Sequence, residues 1–190
     1  INLGEILAQS GEVGIYGAAL RNTGSINADQ VVREVSGRIV LLAKEEVILG
    51  AGSLLTAQGG ADSGDGGFIE TSGRHLSITD GARVDTLAPH GKAGTWLLDP
   101  MDFTIAATGG DMTAGDLGTA LVTTNVTILS SSGAVDLNGD IHVNDAVAWT
   151  AGSSPTTLTL NAVRDVNVNQ AITATNGNLV VCCGRDINVR

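Results

Sequence analysis

Polar and apolar residues alternate in short runs along almost the whole chain, and the runs are bounded by Gly, Asn, Asp and Ser. Alternation over four to six residues between such punctuating residues predicts strands, and there is almost no helical periodicity. One pattern repeats outright. "LTLNAVRDVNV" (Leu158–Val168) aligns without a gap on "LVVCCGRDINV" (Leu179–Val189) at an offset of 21 residues. Arg164–Asp165 falls on Arg185–Asp186, and Val166 and Val168 fall on Ile187 and Val189.

The same template recurs more loosely in "GRIVLLAKEEVIL" (Gly37–Leu49), "GFIETSGRHLSI" (Gly67–Ile78) and "GAVDLNGDIHV" (Gly133–Val143). Each has an alternating segment, a small or glycine-bearing corner, a polar step, then apolar–x–apolar. A fixed period of this size predicts stacked repeats. Strands this short bury no face alone. Stacking lets each inward residue rest on its equivalent in the next repeat, which predicts an all-β chain built as a parallel β-helix.

Composition fits that expectation. Twenty-six glycines serve many corners, and only three prolines interrupt ladders that need nearly every N–H. The 3% aromatic content suits a narrow interior of aliphatic side chains. The expectation is one elongated domain over 1–190 with about eight coils, roughly 40 Å long at the strand spacing. The net charge is −10, and no basic stripe or aromatic–basic platform appears, which argues against nucleic acid. No apolar run is long enough to span a bilayer as a helix. The start at Ile1 and the stop inside a repeat unit read as a piece of a longer protein.

Residues 91–128 break the repeat, beginning "GKAGTWLLDPMDFTI". In a strand from Thr95 to Leu98, Trp96 and Leu98 share one face and Leu97 takes the other. Pro100, having no N–H, ends the ladder, and Asp99 and Asp102 are placed to accept bonds from turn amides. Trp96, Leu97, Leu98, Asp99, Pro100 and Asp102 together read as a structural lock. Thr113 with Asp116 three residues on has capping-box spacing, and Leu117 and Leu121 share one helical face. A short helix is expected near 113–122, excursing from the strands and covering apolar surface.

"GGFIETSG" (Gly66–Gly73), "GTWLLDPMDFTI" (Gly94–Ile105), "DLGTALVTTNVTI" (Asp116–Ile128) and "DIHVNDAVAWT" (Asp140–Thr150), in that order, closely resemble the filamentous-haemagglutinin-like exoproteins of bacterial two-partner secretion. The resemblance covers the chain from about Gly37 onward. It implies a right-handed parallel β-helix, a protein secreted to the bacterial cell surface, and an outer-membrane transporter as export partner of the whole protein. The N-P-N-type motif of the family's secretion domain is absent from this chain, so the resemblance places it at or just after the end of that domain.

Other candidate chemistry is sparse. "GGADSGDGG" (Gly59–Gly67) is a single irregular copy of a glycine–aspartate pattern and reads as a surface loop before it reads as a calcium site. Glu70, Asp80, Asp85, Asp99 and Asp102 sit at corners in no paired spacing that marks acid–base work. His75, His90 and His142 are unpartnered in sequence, with His75 and His142 on polar steps that face solvent. Asn167, Asn169 and Asn188 share the outward parity and suit side-chain ladders between repeats, or contacts to a glycan. Cys182 aligns with outward Asn161 and Cys183 with inward Ala162. Cys182 is therefore the candidate exposed thiol, available for a bond to another chain, and Cys183 a buried small residue.

The expectation is a non-catalytic β-helical stalk or adhesin segment, with no cofactor or metal, meeting a host-surface or glycan receptor. A glycan- or haem-related ligand module on the same scaffold is the alternative. A β-helix polysaccharide-active enzyme is the third reading, which a groove with convergent carboxylates would favour.

Overall fold

The structure is a computed structural model that describes residues 1–31, 36–131 and 138–190. Half the chain is strand and 4% is helix. The alternating runs of the first part fold as β1 (Glu5–Leu7), β2 (Glu12–Asn22), β3 (Ser25–Asn27), β4 (Arg38–Leu49), β5 (Leu54–Thr56), β6 (Phe68–Ser72), β7 (His75–Ile78) and β8 (Arg83–Asp85). The middle block supplies β9 (Thr95–Asp99), β10 (Phe103–Ile105), the helix α1 (Ala114–Leu121) and β11 (Asn125–Leu129). Then come β12 (Ile141–Val143), β13 (Val147–Thr150), β14 (Thr156–Ala162), β15 (Val166–Val168), β16 (Ile172–Thr175), β17 (Gly177–Cys183) and β18 (Ile187–Val189).

Every strand pairing described is parallel. The largest sheet runs β17-β14-β11-β9-β6-β4-β2, with β7 also on β4. Two four-stranded sheets run β1-β3-β5-β8 and β10-β12-β15-β18, and β13 pairs with β16. Register stacks like upon like. Val13, Ile39, Ile69, Trp96, Val126, Leu158 and Leu179 form one column across the large sheet. Phe103, Ile141, Val166 and Ile187 form another. From Ile39 to Leu158 the first column is fully buried, whereas Leu179, on the edge strand, is exposed. The burial of these columns is the hydrophobic term that holds the sheets face to face.

The 21-residue sequence alignment is also the structural register: Leu158 pairs with Leu179, Ala162 with Cys183, and Val166 with Ile187. Of the unit at Gly133–Val143, residues 133–137 lie outside the described residues, and its end is β12, in register with β10 and β15. Strand β4 serves two directions. Arg38–Leu42 pairs with β6 and Glu46–Leu49 with β7, so Ala43–Glu45 lies at a corner, opposite a register shift between Gly17 and Ala19.

The block that breaks the sequence repeat leaves the sheet unbroken, because β9 pairs in register with both β6 and β11. Helix α1 forms where the capping spacing predicts it. Thr113 Oγ1 accepts the Asp116 N–H at 3.1 Å, and Leu117 and Leu121 are fully buried. Its placement differs from the expected excursion. It packs against β8 on one side and β13 on the other, where another strand would follow the sheet ending at β8. The reason is visible in its residues: Ala114, Leu117, Ala120 and Leu121 bury one face in the core, and Gly118 brings the helix close to the β13 backbone at Ala148.

Candidate binding grooves and corner ladders

In the W-L-L-D-P block the strand faces follow the expected alternation, whereas the two aspartates find other partners than the turn amides expected of them. Trp96 and Leu98 are buried and Leu97 faces outward. The Trp96 Nε1–H donates to Thr71 Oγ1 at 3.0 Å on the neighbouring strand. Pro100 follows the last residue of β9, and it is buried. The two aspartates bond to a later repeat and not to their own turn. Asp99 accepts the Ser131 N–H at 3.0 Å and the Ser131 hydroxyl at 2.6 Å. Asp102 Oδ1 accepts the N–H groups of Gly139 at 2.7 Å and Asp140 at 2.9 Å.

Asp102 begins a column. Asp140 Oδ1 accepts the Asp165 N–H at 3.1 Å, and Asp165 Oδ1 accepts the Asp186 N–H at 3.2 Å. Each carboxylate thus caps the corner of the next repeat. Arginines balance the charge: Arg164 Nη2 donates to Asp140 at 2.9 Å, and Arg185 holds Asp165 through both Nε and Nη2. The Arg185 hydrogen bond holds the Asp165 carboxyl below the ordinary carboxylate range and raises the Arg185 pKa in turn. One step outward the asparagines pair as ladders, Asn188 to Asn167 at 3.0 Å and Asn169 to Asn144 at 2.8 Å.

Among the described residues, three of the open grooves lie beside α1 or the W-L-L-D-P strand. A cleft of ≈ 270 Å³ separates β8 from α1, with Val84 and Ala120 on its walls and Arg83 and Asp116 among its polar residues. On the other side of α1, a shallower groove is lined by Thr119, Thr150, Thr173 and Thr175. The third, of ≈ 390 Å³, follows the corner of β4 and β6 outside the W-L-L-D-P strand, among Leu42, Lys44, Glu70, Ser72, Arg74 and Asp99. Its two carboxylates are engaged. Glu70 accepts the Ser72 hydroxyl at 2.9 Å and lies 3.8 Å from Arg38 Nη2, while Asp99 is held by Ser131. Its two cations are not: among the described residues no side chain bonds to Lys44 or Arg74, and both are exposed.

The remaining candidates stay apart. His75 and His90 are exposed and His142 is half-buried on β12. Asp80 is exposed, and Asp85 accepts the Gln58 amide at 2.7 Å and the Leu87 N–H at 2.9 Å as a corner cap. Among the described residues no group of three or more His, Cys, Asp or Glu side chains is placed to hold a metal. No helix among them is long and apolar enough to cross a membrane. Both cysteines are free. Cys182 is exposed, and Cys183 is half-buried against the core, short of full burial because β17 is an edge strand. Comparison with protein-family models, with curated proteins and with solved structures gives no match.

Proposed function

We propose that the chain is a right-handed parallel β-helix from a large, secreted, filamentous-haemagglutinin-like bacterial exoprotein, in which it acts as a non-catalytic stalk and adhesin segment. The observation that supports this most is the in-register stacking of equivalent residues through parallel pairs alone, from Val13 to Leu179. Corner carboxylates and asparagine ladders tie each repeat to the next, as a load-transmitting stack of coils requires. In this reading an outer-membrane transporter exports the whole protein, and a host-surface or glycan receptor is its partner. The corner groove beside Lys44 and Arg74 favours glycan contact as the adhesive chemistry. The engagement of Glu70 and Asp99 with other side chains gives the polysaccharide-active enzyme no support.

The test is deletion of this segment from the parent protein, coil for coil, in a strain that keeps the transporter. Normal export with reduced adhesion is expected. Unchanged adhesion at normal export would end the adhesin reading, and small-angle scattering of a compact globule would end the stalk.

A further inference from the structure

The chain carries five aromatic residues, and four of them are spent on structure. Trp96, Phe103 and Trp149 are buried, and Phe68 is covered by the Arg38 guanidinium at 4.9 Å. Tyr16 is the exception, 66% exposed on the outward face of β2. A Cβ placed on Gly14 would come within 2.8 Å of its Cε2, so the ring lies along the strand surface over Gly14 instead of standing off it. On the next strand Tyr16 is paired with Leu42, an exposed apolar residue that also lines the corner groove. Ring and groove are therefore neighbours on one continuous outward face.

We propose that Tyr16 and the groove at Lys44 and Arg74 form one strip that binds an acidic glycan of the uronic-acid class. The proposal rests on the adhesin reading and gives it a ligand. The strip's unpaired side chains are its two cations. Glu70 accepts the Ser72 hydroxyl and has Arg38 3.8 Å away, and Asp99 accepts two hydrogen bonds from Ser131. The Lys44 ammonium and the Arg74 guanidinium keep all their donors, and these call for an acceptor-rich, negatively charged group. A carboxylate suits the planar fork of Arg74. The aliphatic C–H face of a pyranose ring suits the electron-rich face of Tyr16, with Leu42 extending the apolar floor.

The test uses the whole 190-residue chain, with a short oligogalacturonate as probe and its methyl ester as the neutral counterpart, followed by calorimetry at two salt concentrations. The expected result is binding of the acid form that weakens with salt, with the ester weaker by about tenfold. Tyr16→Ala and Arg74→Ala should each weaken the acid form by about tenfold. Both sites are exposed, so these variants should keep the parent's denaturation midpoint, and Arg83→Ala, at the cleft beside α1, should bind like the parent. Absence of binding, equal binding of acid and ester, or parent-like binding by both variants would overturn the proposal. Small-angle scattering on the same samples separates the outcomes: an elongated particle that does not bind removes the glycan strip and leaves the stalk, whereas a globule removes the stalk itself.

Discussion

Trp96 donates its indole N–H to the hydroxyl of Thr71, one strand away, at 3.0 Å. The contact sits inside the core column, between Ile69 and Val126, so one side chain fills the largest volume in that column and satisfies a buried polar atom. Trp96→Ala should therefore cost ~3–5 kcal/mol in denaturant, the range for deleting a large buried aromatic. Trp96→Phe should cost less but more than zero, because the Thr71 hydroxyl loses its donor. A parent-like midpoint for Trp96→Ala would mean that this strand does not carry the core.

Gly118 and Gly115 lie in the same helix and should respond to alanine with opposite sign. A Cβ at Gly118 would stand 2.5 Å from the Ala148 carbonyl oxygen of β13, whereas one at Gly115 would meet nothing closer than Thr113 Oγ1 at 3.8 Å. Alanine is the better helix former by up to ~1 kcal/mol. Gly115→Ala should stabilise by about that amount, and Gly118→Ala should destabilise, since the helix must lift from β13. Thermal midpoints of the two variants decide the matter; stabilisation by both would place α1 away from β13.

Acid sensitivity should depend on Arg185. Its hydrogen bond lowers the Asp165 carboxyl below the ordinary 3.8. The pair therefore stabilises the fold above that value, and the contribution is lost as pH falls through the lowered pKa. Arg185→Ala should move acid unfolding to higher pH. Because the arginine side chain is 54% exposed, the shift should shrink at high salt. An unchanged acid midpoint at low salt would show that the pair does not form in solution.

Asp111 should act in the other direction. Burial raises its carboxyl above 3.8, although the Thr104 N–H donates to it at 2.7 Å. The folded state then holds this proton more tightly than the unfolded chain does, and stability falls as pH rises through the carboxylate range. Asp111→Asn keeps an acceptor for Thr104 and removes the charge. The variant should lose less stability than the parent between acid and neutral pH, and identical pH profiles would count against a desolvated carboxylate there.

The stacked arrangement was legible where it repeats in sequence. "MDFTI", "GDIHV", "RDVNV" and "RDINV" hold an aspartate before an apolar–x–apolar triplet, and those four aspartates are the corner column. The shared motif aligns them and a fixed period does not, since successive members are 38, 25 and 21 residues apart. The placement of α1 was not legible, because its capping and i, i+4 spacing define a helix without defining its neighbours. Nor was the partner of Asp99, since Ser131 is 32 residues away and follows no motif. The corner groove was not legible either: Lys44 and Arg74 both line it where β4 turns between its pairings with β6 and β7, and no motif marks that turn.

The cysteines carry a direct test of register. Cys182 stands opposite Asn161 and Cys183 opposite Ala162 in the β14–β17 pair, so successive thiols point to opposite faces. Thiol labelling of the folded protein should modify Cys182 first. Cys183 should lag and become fast only on unfolding, with partial protection because it is half-buried at an edge strand. Cys182→Ser should be nearly neutral. Cys183→Ser should cost about 1 kcal/mol, the low end for burying an unpartnered hydroxyl. A slipped register would exchange the two faces, and the labelling order would then reverse. Equal slow labelling, with a mass two hydrogens below the reduced form, would instead reveal a disulfide between the neighbours and overturn the opposed arrangement of the two thiols.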